Sequence, residues 1–203
     1  MSAHAATRTK GERTRAAILD EAARLATIVG LEGLTIGGLA NAIGMSKSGL
    51  YAHFGSKQEL QLATIEAARE TFVAEVLRPA LREPKGSQRL LAVCELYLSH
   101  VERRVFPGGC FFSAAAADLG SWPGPARDEI AAQRRDWLAV LERLAREAQE
   151  INELDSRLDP AQVAFELQAL LAAANTTFIL NDDAAVFERA RRAVRECMKT
   201  ASG

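Results

Sequence analysis

The chain has 203 residues, 48% of them apolar, and its 25 Lys/Arg and 26 Asp/Glu leave a net charge of −1. That length allows one large domain or two small ones around a sizeable core, and the near-neutral balance supplies no global electrostatic drive toward nucleic acid. No run reaches the roughly 18 apolar residues of a membrane span and the N-terminus has no apolar leader core; the three widely spaced cysteines, Cys94, Cys110 and Cys197, argue against zinc and disulfides and fit a reducing, cytoplasmic setting.

Alanine, leucine, glutamate and arginine dominate, and they favour helix. Residues 1–9 are small and polar and are expected to be disordered. A first helix starts at Arg13, with Ile18, Ala22, Leu25, Ala26 and Val29 on one face of a 3.6-residue period, and Gly30 placed to end it. Thr35 caps a short second helix, Ile36 to Ile43, which Gly44 ends in a left-handed turn. Ser46 caps a third, Lys47 to Phe54, stopped by Gly55. Ser56-Lys57-Gln58-Glu59 is a capping box that opens a long fourth helix, with Ile65, Ala68, Phe72 and Val76 on its apolar face and Pro79 at its expected end.

Beyond it a fifth helix is predicted over 88–105, broken by Pro107-Gly108-Gly109, and a short small-residue helix over 110–118. A second break, Gly120 to Pro125, carries Trp122. A long seventh helix over 126–151 spaces Trp137, Leu141, Leu144, Ala148 and Ile151 like a heptad. Asp159-Pro160 opens the helix over 161–180, and a last one runs over 183–199. There is no strand alternation and no repeat. The expected fold is all-α, about nine helices, with an N-terminal three-helix domain over 1–57 and a C-terminal helical bundle over 58–203.

The segment TIGGLANAIGMSKSGLYAHFGSK, Thr35 to Lys57, sets two short capped helices at a tight turn. That is helix-turn-helix geometry, whose second helix enters the major groove by its first residues. Ser46, Lys47, Ser48 and Gly49 are small or basic there and permit close approach to base edges. Leu39, Ala42, Ile43, Leu50 and Phe54 are spaced to pack the pair on the first helix. Tyr51 and His53 suit phosphate oxygens, although elsewhere they read as a core aromatic and a surface histidine. Lys57 adds an ammonium to the positive end of the fourth helix. Residues 1–60 carry seven Lys/Arg against five acids, and the Arg8 to Arg15 cluster is expected on the DNA backbone or in the minor groove.

GLTIGGLANAIGMSKSGLYAHFGSKQEL resembles the N-terminal signature of the TetR/AcrR family of tetracycline-repressor-like regulators, with the match running over residues 13–62. The resemblance implies a homodimeric repressor on a palindromic operator, released by a small molecule bound in the helical body. It implies DNA contacts at Thr35, Lys47, Ser48, Gly49, Tyr51, His53 and Lys57. Gly37 and Gly38 depart from the polar or basic residues of many relatives, so the second helix should contribute fewer contacts. PGGCFFSAAAADLGSWPGPARDEI is similar to part of the sensing body in one subgroup.

No HExxH, P-loop, dinucleotide fingerprint or activated nucleophile is present, so the chain is not read as an enzyme, and no cofactor or metal is expected. A plain helical binding module would leave the reader segment without purpose. Aromatic residues around the two Gly/Pro breaks suggest a cavity among the fourth to seventh helices. Its expected lining is Phe72, Tyr97, His100, Phe111, Phe112, Trp137 and Asn175, with Ser113 and Gln168 as further polar anchors, and the lack of charge at these positions suits a neutral, hydrophobic ligand. Cys110 is read as a buried small hydrophobe. Val163, Leu167, Leu170, Leu171, Ala174 and Phe178 are expected to form a dimer interface with the last helix. The run Arg189, Arg191, Arg192 and Arg195 is read as a solvated face.

Overall fold

Thr9 accepts from the Glu12 N–H and Glu12 answers to the Thr9 N–H, a capping box that starts the first helix three residues before Arg13. The computed structural model describes residues 9–200, so the expectations for residues 1–8, Arg8 included, lie outside the described residues. The elements are α1 (Lys10–Val29), α2 (Ile36–Ile43), α3 (Lys47–Phe54), α4 (Lys57–Phe72), a π turn (Val73–Leu77), α5 (Arg78–Ala80), α6 (Ser87–Glu102), α7 (Phe111–Leu119), α8 (Pro125–Glu150), α9 (Pro160–Asn181) and α10 (Ala185–Thr200). The fold is all-α. With α4 to α5 taken as one rod, the described residues form nine helices.

That rod runs past Pro79, where the sequence predicted an end. The π turn explains it: the Arg78 N–H reaches back five residues to the Val73 carbonyl, and the widened turn shifts the carbonyls a proline ring would strike. In α6 the opposite occurs. The helix stops at Glu102 rather than 105 because Arg104 adopts a left-handed backbone, φ 50°, held by an ion pair to Asp182 and stacked 4.4 Å over the Phe178 ring.

Two cores result. The N-terminal one packs Ile18, Ala22 and Ala26 of α1 against Leu39, Leu50 and Phe54. It is completed by Leu60, Ile65 and Ala68 of α4 and by Phe106, Phe111, Ala115 and Leu119, so α7 belongs to it as much as the reader helices do. Val29 and Ala42, expected to pack here, are exposed, and Ala23 is buried instead. The larger core unites α6, α8, α9 and α10 with Phe72 and Val76. Ile151, at the end of α8, is 46% exposed and outside it.

The expected dimer face is a correction. Val163, Leu167, Leu171, Ala174 and Phe178 are all buried inside their own protomer, and Leu170 is half-buried against the same core. The α9 helix is apolar on most of its circumference, so periodicity could not say which side met its own chain. Arg191 is corrected too. It is mostly buried and joins α10 to α6 through Glu95 and Glu102 at 2.9 and 2.7 Å.

Candidate DNA-reading head and effector cavity

Thr35 accepts from Gly38 N–H at 3.0 Å and Ser46 from Gly49 N–H at 3.1 Å, so each short helix has one of its orphan donors satisfied. Gly44 joins them at φ 68°, ψ 27°, a left-handed turn that a side chain would strain. Leu50 and Phe54 anchor α3 inward, fully buried. That leaves Lys47, Ser48 and Tyr51 exposed around its N-terminal turn, where the helix dipole is positive. Gly49 is partly covered, and a methyl group there would press on the Ser46 hydroxyl.

His53 ends α3, half-buried. Its carbonyl accepts from the Arg15 guanidinium at 2.5 Å, and Arg15 lies 4.3 Å over the Phe54 ring. Arg15 therefore secures α1 to α3 instead of reaching outward with the rest of its cluster, a cation–π role that charge counting misses. Lys57 stands at the start of α4, paired with Glu32 at 2.5 Å, and this hydrogen bond holds the Glu32 carboxyl below its usual range.

The second feature is a cavity of about 330 Å³ between the α4 rod, α6, α7, α8 and α9. Phe72, Tyr97, Phe112 and Trp137 line it together with Ser113, Gln168 and Cys110. Phe72 meets Tyr97, Phe112 and Trp137 edge-on, with ring centres 6.2, 6.0 and 5.3 Å away. The Trp137 indole N–H donates to Gln168 Oε1 at 2.5 Å.

Three expected lining residues are elsewhere. Phe111 points into the N-terminal core, because successive positions on α7 diverge by about 100° and Phe112 takes the cavity side. Asn175 is buried, and its Oδ1 accepts from Cys110 N–H at 2.8 Å, fixing the loop before α7. His100 is 1% exposed between the rings of Phe72 and Phe106. Neither of its nitrogens has a hydrogen-bond partner among the described residues, and burial pushes its pKa down to about 4. The expected uncharged lining is a correction: the cavity also presents Arg69, Gln133, Arg134 and Asp136, three of them charged. Their only sequence signal is a place on α4 or α8 one turn or less from Phe72 or Trp137.

The two features are physically joined. The first turn of α7 carries Phe112 and Ser113 at the cavity wall, and its last turn carries Asp118, whose carboxylate accepts from Glu32 N–H at 2.7 Å just after α1. The α4 helix runs from Lys57 in the reading head to Phe72 at the cavity.

Residues 18–64 match the family described as bacterial regulatory proteins, tetR family, and residues 86–194 match the tetracyclin repressor-like C-terminal domain. No curated protein gives a significant match. Among solved structures the chain is similar to a TetR transcriptional regulator from Chloroflexus aurantiacus, with TM-score 0.85 and 25% identity over 94% of this chain and 96% of that one. A TetR-family regulator from Cytophaga hutchinsonii aligns with TM-score 0.81 and 18% identity, over 96% and 98% of the two chains. AibR, solved in complex with isovaleryl coenzyme A and operator DNA, aligns with TM-score 0.72 and 24% identity, over 93% and 98%. With both regions matched and the C-terminal match alone spanning more than half its length, this chain belongs to the TetR family of bacterial transcriptional regulators.

Proposed function

We propose that this protein is a repressor that binds a palindromic operator as a homodimer and is released when a small, hydrophobic-bodied molecule enters the cavity. Residues 1–57 then serve as the reading domain and 58–203 as the sensing and dimerising domain. The carrying observation is the exposed start of α3, with Lys47, Ser48 and Tyr51 open to solvent around a capped helix whose other side is buried. Lys47, Ser48 and the Gly49 backbone meet base edges. Thr35, Ser46, Tyr51, His53 and Lys57 position the head on phosphates. None of this assigns the chain a reaction, and its role is binding.

A fold neighbour held both an acyl-coenzyme A and operator DNA, which supports reading cavity and head as one device. The unpartnered face of α9 supports the dimer. Phe165 and Leu180 are 64% and 77% exposed on the outer side, with Ala169, Ala173 and Thr176 between them. That stripe, flanked by α10, pairs with its two-fold copy. Effector binding acts only if the molecule favours the DNA-incompetent state, and about 1.4 kcal/mol of preference weakens operator binding tenfold.

A mobility-shift titration on DNA upstream of the gene tests the reading. A discrete dimer–DNA complex that a cavity ligand dissolves is the expected result. Failure to shift any upstream fragment at micromolar protein would refute it.

A further inference from the structure

We propose that the effector is a small aromatic carboxylate, its ring held by Phe72, Phe112 and Trp137 and its carboxylate by Tyr97, Ser113 and Arg134. The inference rests on the reading of this cavity as the effector site.

The apolar end is a box of rings. Phe72 stands at 83° to Phe112 and 86° to Trp137, so a planar guest can continue the same edge-to-face and stacked packing. The volume, about 330 Å³, lies at the small end of the range for ligand sites, which runs from about 300 to 1,000 Å³.

The polar end is rich in donors and poor in acceptors. Tyr97 is 2% exposed, and its hydroxyl meets Ser113 Oγ only at 3.5 Å, the outer limit of a hydrogen bond. Burial raises the Tyr97 pKa well above its ordinary value, so the phenol keeps its proton and is a donor. With the Cys110 thiol beside them, the two hydroxyls offer more protons than strong acceptors. Of the two strong acceptors, Gln168 Oε1 is already taken by Trp137, and the Asp136 carboxylate stands on the exposed side of α8.

Arg134 supplies the charge. It lines the cavity from the exposed side of α8 and forms no ion pair or hydrogen bond among the described residues. It lines the same cavity as Tyr97, and its positive charge opposes the rise in the phenol's pKa. Arg69 is different, because Glu66 holds its guanidinium at 2.5 and 2.7 Å. Asp136 is the opposing charge. Two residues along α8 it lies on the other flank of the inward face, about 200° from Arg134, so it steers an anion toward Arg134. An amine would meet donors at the Tyr97 end, and an uncharged ring would leave them unsatisfied. A carboxylate accepts from all three.

The test uses the full chain carrying Trp122→Phe, so that Trp137 alone reports by fluorescence, with operator release as the second readout. The probes are benzoate, 4-hydroxycinnamate and 2-naphthoate, each beside its methyl ester. The acids are expected to quench Trp137, release the operator and bind roughly tenfold or more tighter than the esters. Arg134→Gln and Tyr97→Phe should each weaken the acids by roughly tenfold and the esters far less. Esters that bind and release operator as well as the acids do would overturn the carboxylate proposal and leave the cavity reading standing. Acids that bind equally to wild type and Arg134→Gln would overturn it as well. If neither acids nor esters quench Trp137, both the proposal and the cavity reading fail.

Discussion

The backbone N–H of Gly108 donates to the Thr27 hydroxyl at 3.0 Å, and a methyl group added at Gly108 would overlap the Thr27 carbonyl oxygen. The loop that leads into the cavity wall is thereby pressed onto the last turns of α1. Asn175 holds the same loop from the other side through Cys110 N–H. Gly108→Ala should cost about 1–3 kcal/mol of stability, because neither backbone can yield without moving a helix. Thr27→Ala, which removes the acceptor for Gly108 N–H and the hydroxyl's own donation to the Arg24 carbonyl at 2.8 Å, should cost about 1 kcal/mol. Denaturant midpoints with unchanged m-values check both, and an alanine at 108 with wild-type stability would show that the close approach is not maintained in solution.

Lys47→Ala and Tyr51→Phe should each weaken operator binding by about 1 kcal/mol or more, roughly fivefold, with unaltered circular dichroism. Lys57→Ala should weaken specific and non-specific DNA alike and flatten the salt dependence by about one unit. Glu32→Gln should act oppositely, since Glu32 now occupies the Lys57 ammonium at 2.5 Å. Freed of that partner, Lys57 is available to phosphate, and non-specific affinity should rise. Binding isotherms at several salt concentrations measure all four variants.

Three α9 variants should separate burial from assembly. Phe165→Glu and Leu180→Glu place charge on the exposed stripe, and each should give folded monomers by light scattering at micromolar concentration. Leu171→Asp places charge at a fully buried position and should unfold the protomer instead. A wild type that is itself monomeric at these concentrations would refute the proposed interface.

His100 should make stability fall in acid. Burial holds its folded pKa at about 4 against an ordinary 6.5, with Glu75 drawing it up and Arg103 pressing it down. Between those two values the unfolded chain binds a proton that the folded chain refuses. Stability is therefore full above about pH 6.5 and declines as pH falls toward 4, by up to about 3 kcal/mol. His100→Leu should flatten that part of the profile, measured as denaturant midpoints from pH 7 to 4. A wild-type profile with no slope across the window would mean that His100 is solvated in solution.

What the sequence by itself determined is the set of features that depend on near neighbours along the chain. Thr35, Ser46 and Ser56 announce three helix starts because a cap bonds a backbone group three residues on, and Gly44 marks the turn because its φ is positive. The reader segment was legible for that reason, and the aromatic cluster of Phe72, Tyr97, Phe112 and Trp137 was legible as composition around two breaks. Tertiary structure alone decided what depends on direction and on distant partners. It chose the inward side of α9, because a helix apolar nearly all round offers no periodic clue. It turned Phe111 away from the cavity and Phe112 toward it, set Arg15 on Phe54 and Arg191 between Glu95 and Glu102, and carried α4 past Pro79 through a π turn. It also brought Arg134, without a partner among the described residues, to the same cavity as Tyr97, two positions separated in sequence by α7 and the loops on either side of it. Each of these is fixed by which surfaces exclude water together, a quantity that exists only once the helices have packed.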